Sequence, residues 1–374
     1  MTATVPTQSV RHPAFGGVPE ALWNDWRWQM RSRVTSLGAL SDLIQLTEEE
    51  RQGIEGRDEA FGFAITPYYL SLIGEPGCPV RAQAVPHVDE LITTPWDLED
   101  PLAEDAHAVT PILTHRYPDR GLLYVTHNCP VYCRHCTRQR KVGDVASAPA
   151  REMFEASYAY LERTPEVKDV LISGGDPLSL SDRKLTEICT RLRSIPSIEV
   201  LRLCTRNPVT LPHRITDELL EALRPHHPIF VHTHFNHPAE CTPEAGAALD
   251  RLADAGFNVG NQMVLLRGIN DDAETVEVLN RWLVRHRCRP YYMLQCDPVG
   301  GTAHMRTSVD TGVQILDAMR GKVSGLAIPQ LVVDLPGGGG KVTLTPERLV
   351  RRDGNKRVYR DMRGREFTYV DEPL

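Results

Sequence analysis

Three cysteines lie close together in the stretch CPVYCRHC, at Cys129, Cys133 and Cys136. Cysteine thiolates at this C-x3-C-x2-C spacing are typical ligands of a metal centre. Zinc ribbons pair two C-x2-C knuckles, and no second knuckle occurs here, so a zinc ion would need His127 or His135 as its fourth ligand. The other interpretation is a [4Fe-4S] cluster held by three thiolates, which leaves one iron atom open to a small molecule.

A glycine-rich stretch that ends in lysine, PGGGGK, runs from Pro336 to Lys341. It is not a P-loop, because that motif has Ser or Thr after the lysine and Val342 stands there. Glycines let the backbone approach a ligand closely, and a lysine held there can form a Schiff base with pyridoxal 5'-phosphate. Arg116 and Arg120 of HRYPDR can anchor the phosphate. The simpler alternatives are a flexible hairpin with a solvated lysine, and surface salt bridges for both arginines.

These residues are far apart in sequence, so a folded scaffold must bring them together. From about Leu122, apolar β-rich runs alternate with helical stretches, which predicts a parallel sheet covered by crossover helices. The predicted strands are LLYVTH, DVLISGG, VLRLCTR, IFVHTHF, VGNQMVLL, PYYMLQC and LVVDL. Six or seven strands of this kind predict an open sheet or a partial (β/α)6-type barrel, so the predicted fold class is α/β, with a helical N-terminal region and a short C-terminal extension.

Four motifs each follow a predicted strand. The cysteines follow LLYVTH, GGDP follows DVLIS, QCD follows PYYML, and PGGGGK follows LVVDL. The carboxyl ends of parallel strands lie on one face of the sheet, where such folds carry their chemistry. We therefore expect the four motifs to form one shared site.

The chain divides into three predicted regions. Residues 1–105 read as mainly helical, with a Thr cap followed by Glu in LTEEE. Residues 106–345 form the barrel and carry the glycine-rich lysine motif. Residues 346–374 are charged and poorly periodic, and we expect a short cap or a contact within a homo-oligomer.

Composition limits the classes of function. The 374 residues are 41% hydrophobic and carry a formal net charge of -7, which provides no basic field for nucleic acid or an anionic membrane. We find neither a signal-peptide core at the start nor a run of 18 apolar residues, so we expect a cytoplasmic protein. Nine cysteines are too few for a disulfide scaffold. The scattered cysteines are expected to be mostly buried small hydrophobic residues, namely Cys78, Cys189, Cys204, Cys241, Cys288 and Cys296.

The cysteine motif, with Tyr132 before its second cysteine, resembles the radical S-adenosylmethionine superfamily. GGDP, from Gly174 and Gly175 through Asp176, is similar to that superfamily's glycine-rich loop for the methionine amino group. Alone it is typical of an ordinary turn. The ordered motifs together resemble the lysine 2,3-aminomutase family over nearly the whole chain. They are WNDWRWQ, AITPYYLSLI, HRYPDR, CRHCTR, DVLISGGDPL, THFNHP, GNQMVLLRGIND, RPYYMLQCD and PGGGGK.

This resemblance implies a radical SAM barrel and an isomerase with three cofactors. They are a [4Fe-4S] cluster, S-adenosyl-L-methionine and pyridoxal 5'-phosphate, supplied with electrons by an external one-electron reductant. The implied cofactor residues are the three clustered cysteines, Lys341 for pyridoxal phosphate, Arg116 and Arg120 for its phosphate, and Gly174, Gly175, Asp176, His234 and Gln262 for S-adenosylmethionine.

The resemblance also implies a substrate, a cationic L-amino acid. Arg138 matches the residue that binds the substrate α-carboxylate, and Asp297 and Asp334 match the carboxylates that receive the cationic side chain. Two buried carboxylates repel each other unless a cation joins them, which fits this role. A helix cap or turn is the alternative for either aspartate, and a solvated basic face is the alternative for the arginines after the cysteines.

The most direct reading is conversion of L-lysine to β-lysine, with arginine 2,3-aminomutation as the alternative. Further alternatives are action on a lysine attached to a protein, or on free lysine destined for elongation factor modification, and a non-catalytic zinc-stabilised binding module. Three features depart from the family pattern. C-terminal zinc-binding cysteines are missing and Asp272 stands at their partner position, Leu294 replaces a common Tyr in PYYMLQCD, and CTRQR replaces CTRRR.

Overall fold

The computed structural model describes residues 4–144 and 148–372, without the side chains of residues 58–60. Ten strands form one sheet, and each is hydrogen-bonded to the next in chain order. They are β1 (Ala108–Thr110), β2 (Leu113–Tyr117), β3 (Arg120–Thr126), β4 (Asp169–Gly174), β5 (Val200–Cys204), β6 (Ile229–Thr233), β7 (Asn258–Leu265), β8 (Cys288–Gln295), β9 (Gln330–Leu335) and β10 (Gly340–Leu344). Strands β3 to β9 are parallel, and β1, β2 and β10 join antiparallel at the two edges. Among the described strands β1 does not pair with β10, so the barrel is partial.

Helices connect the parallel strands and cover the outer face of the sheet. They are α7 (Arg151–Arg163), α8 (Asp182–Arg193), α9 (Asn207–Thr210), α10 (Asp217–Leu223), α11 (Pro243–Asp254), α12 (Ala273–Arg285) and α13 (Val309–Met319). Ser, Thr or Asp side chains cap α8, α10, α11, α12 and α13, which gives each crossover helix a defined start.

The N-terminal region consists of short helices, and the C-terminal residues form a separate small sheet. The helices are α1 (Glu20–Trp23), α2 (Trp26–Arg31), α3 (Leu37–Ser41), α4 (Glu48–Phe61), α5 (Pro67–Leu70) and α6 (Pro79–Ala82). Thr47 and Glu50 form a complete capping box at the start of α4, as LTEEE predicts. The small sheet is antiparallel, with β11 (Leu349–Asp353), β12 (Lys356–Arg360) and β13 (Glu366–Val370). Short 3-10 helices include Val88–Leu91, Pro177–Ser179, Ala303–Met305 and Pro336–Gly338.

Side chains alternate between the two faces of the parallel strands. In β5, Leu201 and Leu203 are buried, whereas Arg202 between them is partly exposed. In β6, Val231 is buried and His232 is partly exposed. The apolar face packs in the main core under the helices, and the polar face lines the inside of the barrel. Because strand side chains have a period of two, polar residues can face the lumen without weakening the core.

All seven predicted parallel strands and the α/β barrel class are confirmed. The antiparallel edge strands β1, β2 and β10, and the small sheet in the tail, were not predicted from the sequence. HRYPDR therefore forms the β2–β3 hairpin, with Arg116 inside β2 and Arg120 at the start of β3. Of the scattered cysteines, Cys189, Cys241, Cys288 and Cys296 are buried. The region boundaries and the oligomer contact stay predictions. Within the described residues, none of the helices has the length and apolarity needed to cross a bilayer.

Candidate active site

The loop after β3, residues 127–144, is called the cysteine loop and is anchored to the N-terminal region. The ring of Tyr132 stacks on Phe61, with centroids 5.8 Å apart and planes 13° from parallel. Arg134 is fully buried, and its Nη2 lies 2.7 Å from Glu90 Oε2. Buried aromatic contacts and a buried ion pair restrict the loop to one conformation. The protein therefore sets the path of the loop that carries the thiols.

The three thiols of the cysteine loop are free, and they lie near a buried cation. Burial raises the pKa of Cys129, and the charges of Asp176 and the other thiols raise it further. Burial, together with the charge of Cys133, raises the pKa of Cys136 to about 11. Arg206 Nη1 lies 2.8 Å from Cys133 Sγ. Metal binding must therefore displace thiol protons, and Arg206 provides a charge that stabilises a thiolate.

One of the two histidines proposed to complete a zinc site has another partner. Among the described residues, no three His, Cys, Asp or Glu side chains are placed to hold one ion. His135, a candidate fourth zinc ligand, instead faces His234 with 3.0 Å between the two Nε2 atoms. Zinc needs four ligands around one ion, whereas cluster thiolates bind different iron atoms and can stand further apart.

The GGDP loop packs directly against the cysteine loop. Gly174 has φ of +112°, and a Cβ there would lie 2.6 Å from the carbonyl oxygen of Thr126. The Asp176 carboxylate is buried and accepts hydrogen bonds from Thr205 Oγ1 and from the backbone N–H of Arg206, both at 2.7 Å. Burial raises the pKa of Asp176. Asp176 thus connects the ends of β4 and β5, and the contact of this loop with S-adenosylmethionine stays a prediction.

His234 and Gln262 belong to two different hydrogen-bonded groups. His234 follows β6, and burial with the nearby charge of Arg206 lowers its pKa to about 3, so the imidazole is neutral. Gln262 lies in β7, and its Nε2 is 2.8 Å from His232 Nδ1. Burial and the charge of Arg202 lower the pKa of His232 to about 4. Both predicted residues are at the barrel interior, and their binding of S-adenosylmethionine stays a prediction.

The glycine-rich stretch forms a hairpin that returns Lys341 to the end of β9. Gly340 has φ of +83°, and a Cβ there would lie 3.2 Å from the Tyr117 hydroxyl, so only glycine fits without strain. Lys341 pairs with Asp334 in the β9–β10 ladder, and Lys341 Nζ forms an ion pair with Asp334 Oδ2. The stretch is indeed a hairpin, but its lysine points to a buried carboxylate rather than only to solvent.

Four residues at this end of the barrel, Arg116, Asp297, Asp334 and Lys341, are called the lysine corner. Arg116 Nη2 lies 3.1 Å from Asp334 Oδ1, so Asp334 has two cationic partners. The carboxylate of Asp297 has no hydrogen-bond donor among the described residues. The pKa of Asp297 is raised to about 7, chiefly by burial and next by the negative charge of Asp334. The positive charges of Lys341 and Arg116 partly offset this increase. The corner therefore holds one paired and one unpaired carboxylate.

The side chain of Tyr117 contacts both of the arginines that are predicted to bind phosphate. The Cζ atoms of Arg116 and Arg120 lie 4.8 Å and 4.1 Å from the centre of the Tyr117 ring. The Tyr117 hydroxyl accepts hydrogen bonds from Arg116 Nη2 and from the backbone N–H of Lys341, both at 3.1 Å. The structure therefore brings the predicted cofactor lysine and both predicted phosphate anchors to one tyrosine.

Arg138 lies at the junction between the cysteine loop and the lysine corner. Its Nε and Nη2 atoms lie 3.0 Å and 2.7 Å from Glu104 Oε1, and its Nη1 lies 3.1 Å from Ser173 Oγ. Arg116 Nη1 lies 2.9 Å from the carbonyl oxygen of Leu102, two residues before Glu104, so Arg138 and the lysine corner adjoin the same segment of the chain. The motifs that follow four different strands thus meet on one face of the barrel, as predicted.

Sequence reasoning missed three residues at this site: Glu104, Tyr117 and Arg206. Tyr117 stands between the two arginines of HRYPDR, so the motif itself could have drawn attention to it. Glu104 and Arg206 meet residues 34 and 73 positions away along the chain. Nothing local in the sequence indicates those contacts.

Two family models match separate parts of the chain, and curated relatives match almost all of it. The model described as Radical SAM superfamily matches residues 123–279, and the model described as Lysine-2,3-aminomutase matches residues 316–373. L-lysine 2,3-aminomutase of Fusobacterium nucleatum is 46% identical over 98% of this chain and 86% of its own length. The enzyme of that name from Acetoanaerobium sticklandii is 47% identical over 98% of this chain and 88% of its own length.

The glutamate 2,3-aminomutase of Clostridioides difficile is 42% identical over 94% of this chain and 83% of its own length. The two activities therefore occur among relatives of similar distance, and the family does not by itself decide the substrate. Radical SAM enzymes use a [4Fe-4S] cluster together with S-adenosylmethionine, which the free thiols of the cysteine loop fit. Identity of this extent along almost the whole chain means that the protein belongs to the lysine 2,3-aminomutase family of radical SAM isomerases.

Proposed function

We propose that this enzyme moves the α-amino group of L-lysine to C3 and so forms β-lysine. The observation that supports a cationic substrate is the carboxylate of Asp297, which lies beside Asp334 and has no hydrogen-bond donor among the described residues. Asp297 is half-buried, and a carboxylate that is partly removed from water without a hydrogen-bond donor is costly; a second carboxylate nearby raises that cost. A substrate ammonium group would relieve both effects at once. The side-chain carboxylate of glutamate would instead add a third negative charge, so this corner argues against glutamate.

The residues of the site fit the cofactors of such a reaction. Cys129, Cys133 and Cys136 would hold the cluster, and Lys341 would bind pyridoxal 5'-phosphate through its amino group. Arg116 and Arg120, which flank Tyr117, would hold the phosphate. When bound, the cluster with S-adenosylmethionine supplies a radical that abstracts hydrogen, and pyridoxal phosphate supplies an electron-accepting ring for the migrating nitrogen. Electrons would come from an external reductant.

The chain's own residues would orient the substrate between two charged anchors. Arg138 would bind the α-carboxylate on the cysteine-loop side, and Asp297 with Asp334 would bind the ammonium group at the lysine corner. Holding both ends leaves Cβ in a defined position between them, which is the entropic advantage of a preorganised site. Use of the Lys341 amino group by the cofactor would also free Asp334 from one of its two cations.

Arginine is the second candidate substrate, and two observations favour it. Leu294 is partly exposed in β8, where an aromatic residue would take more room. Asp334 Oδ1 is buried without a hydrogen bond, although Arg116 lies near it. A guanidinium group could bind two such carboxylates through several N–H donors.

Product analysis of the anaerobically reconstituted enzyme tests this proposal. The assay contains S-adenosylmethionine, pyridoxal phosphate and a chemical reductant, with lysine, arginine, ornithine, glutamate or alanine in separate tubes. We expect β-lysine from lysine as the dominant product. A β-isomer from arginine alone would move the assignment to the second candidate. Formation of 5'-deoxyadenosine without any β-amino acid would contradict the proposed aminomutase activity. It would still show that the enzyme cleaves S-adenosylmethionine to a radical.

A further inference from the structure

Glu104 lies in a segment that crosses the open end of the barrel. Residues 92–107, called the mouth segment, connect the 3-10 helix Val88–Leu91 to β1. Acidic side chains along this segment pair with cations on the loops at the strand ends. The pairs are Asp97 with Arg306, Asp100 with Arg140, Glu104 with Arg138 and Asp105 with Lys141. Of these four acids, only Glu104 contacts Arg138, the arginine proposed to bind the substrate carboxylate.

The carboxylate of Glu104 is buried and fully engaged by donors from two directions. Arg138 Nε lies 3.0 Å from Oε1 and 3.2 Å from Oε2, and Arg138 Nη2 lies 2.7 Å from Oε1. The Tyr124 hydroxyl, on β3, donates to Oε2. Burial alone would raise the pKa of Glu104, but the charge and hydrogen bonds of Arg138, with the hydroxyl of Tyr124, hold it at about 2. Glu104 is therefore ionised throughout the range in which an enzyme works.

The orientation of this pair leaves part of the Arg138 guanidinium group available. A guanidinium has five N–H donors, one on Nε and two on each Nη atom. Glu104 takes the Nε donor and one donor of Nη2, and Ser173 Oγ takes one donor of Nη1. One N–H on each Nη atom remains without a hydrogen bond among the described residues. Two parallel N–H groups are the arrangement that binds a carboxylate in a bidentate manner.

We propose that Glu104 is a positioning residue, which holds Arg138 side-on so that its two remaining N–H groups receive the α-carboxylate of the amino acid substrate. Arginine has a long side chain whose rotamer freedom must be lost before it can bind with defined geometry. Glu104 and Ser173 supply that restriction from two different segments, the mouth segment and β4. This inference rests on the proposed function, because it assigns the carboxylate end of the same substrate.

The test compares how strongly each enzyme depends on the substrate carboxylate. The probe pair is L-lysine and L-lysinamide, which has the same side chain but no carboxylate. Glu104→Gln removes the charge but keeps the size of the side chain. We expect it to raise KM for lysine by about 10- to 100-fold, because charge-assisted hydrogen bonds are lost. KM or Ki for lysinamide should change much less. The variant should also form more 5'-deoxyadenosine per β-amino acid, since a loosely held substrate radical is diverted.

Two further variants keep the test decisive. Asp105→Asn is the matched control, because Asp105 is the neighbouring acid, is exposed and pairs with Lys141 instead of Arg138. Asp105→Asn should leave the KM for lysine and the KM or Ki for lysinamide within about twofold of the wild-type values. Tyr124→Phe removes the one hydroxyl that donates to Glu104 but leaves every charge in place. This variant replaces Glu104→Gln in the test if Glu104→Gln does not fold. It should weaken lysine binding a few-fold and spare lysinamide.

The outcomes separate this inference from the substrate assignment. Equal losses for lysine and lysinamide in Glu104→Gln would show a general structural role and overturn the inference. A wild-type enzyme that isomerises arginine instead of lysine would overturn only the substrate assignment, since arginine and its amide then form the probe pair. A wild-type enzyme that isomerises no amino acid would overturn the proposed function and this inference with it.

Discussion

The cysteine loop follows β3, whereas the lysine corner is built from β2 and the ends of β8 to β10, and the two regions satisfy their charges in different ways. In the cysteine loop, Arg134 pairs with Glu90, and both side chains are almost completely buried. In the lysine corner, Lys341 and Arg116 share Asp334, while the Asp297 carboxylate has no partner among the described residues. The first arrangement is complete without a ligand. The second leaves a charge to be neutralised, as expected where a cationic substrate binds.

This difference means that the two regions should fail in different ways when they are altered. A change in the anchored loop should disturb folding and cluster binding, because its partners are other parts of the protein. A change in the lysine corner should disturb binding of ligands and leave the fold nearly intact, because part of its electrostatic balance is left to the ligand. Three experiments separate these effects.

The largest effect is expected when each cofactor residue is removed in turn. Cys133→Ala should abolish iron binding and activity, and should still allow pyridoxal phosphate to bind at Lys341. Lys341→Ala should abolish the absorbance of protein-bound pyridoxal phosphate and activity, and should retain the brown iron-sulfur absorbance. Iron and sulfide analysis with absorption spectra measures both. Loss of both cofactors in either variant would mean that the regions are not independent.

The next effect concerns the stability of the anchored loop. Arg134→Met leaves Glu90 buried without its closest cation, which should lower the free energy of unfolding by about 3–5 kcal/mol. Urea denaturation of the apoprotein, followed by circular dichroism, measures the change. Arg183→Met is the matched control, because the ion pair of Arg183 with Glu187 is exposed and should contribute less than about 0.5 kcal/mol. Similar losses in both variants would contradict the view that the loop is held by the buried pair.

The smallest effect is a pH dependence that belongs to the lysine corner. The pKa of Asp297 is raised to about 7, so this carboxyl group is mostly protonated below that pH and ionised above it. Since only the ionised form attracts an ammonium group, KM for lysine should fall by about tenfold between pH 6 and pH 8. Asp297→Asn should remove this step, whereas Asp254→Asn, which alters an exposed carboxylate, should retain it. An unchanged pH profile in Asp297→Asn would assign the titration to another group.

Much of the barrel could be predicted from local sequence. Apolar runs such as DVLIS and LVVDL have the length and composition of buried strands, and the periodic stretches between them correspond to α8, α11 and α12. The motif positions followed from these strands, because parallel strands place their carboxyl ends on one face. The edge strands and the small C-terminal sheet were missed. The residues of β11 to β13 are mostly exposed, and β11 and β12 are rich in charged residues, so these strands lack the continuous apolar run of a buried strand.

The sequence by itself determined the cysteine spacing, the glycine-rich lysine and the order of strands that carries both to one face. Only the tertiary structure decided which charges are satisfied. Arg116 meets Asp334 from 218 positions away, and Arg138 meets Glu104 from 34 positions away. The physical reason is that burial and pairing depend on distances between remote segments. The residue type sets the interactions that a side chain can form, and its neighbours in the fold determine which of these interactions it forms.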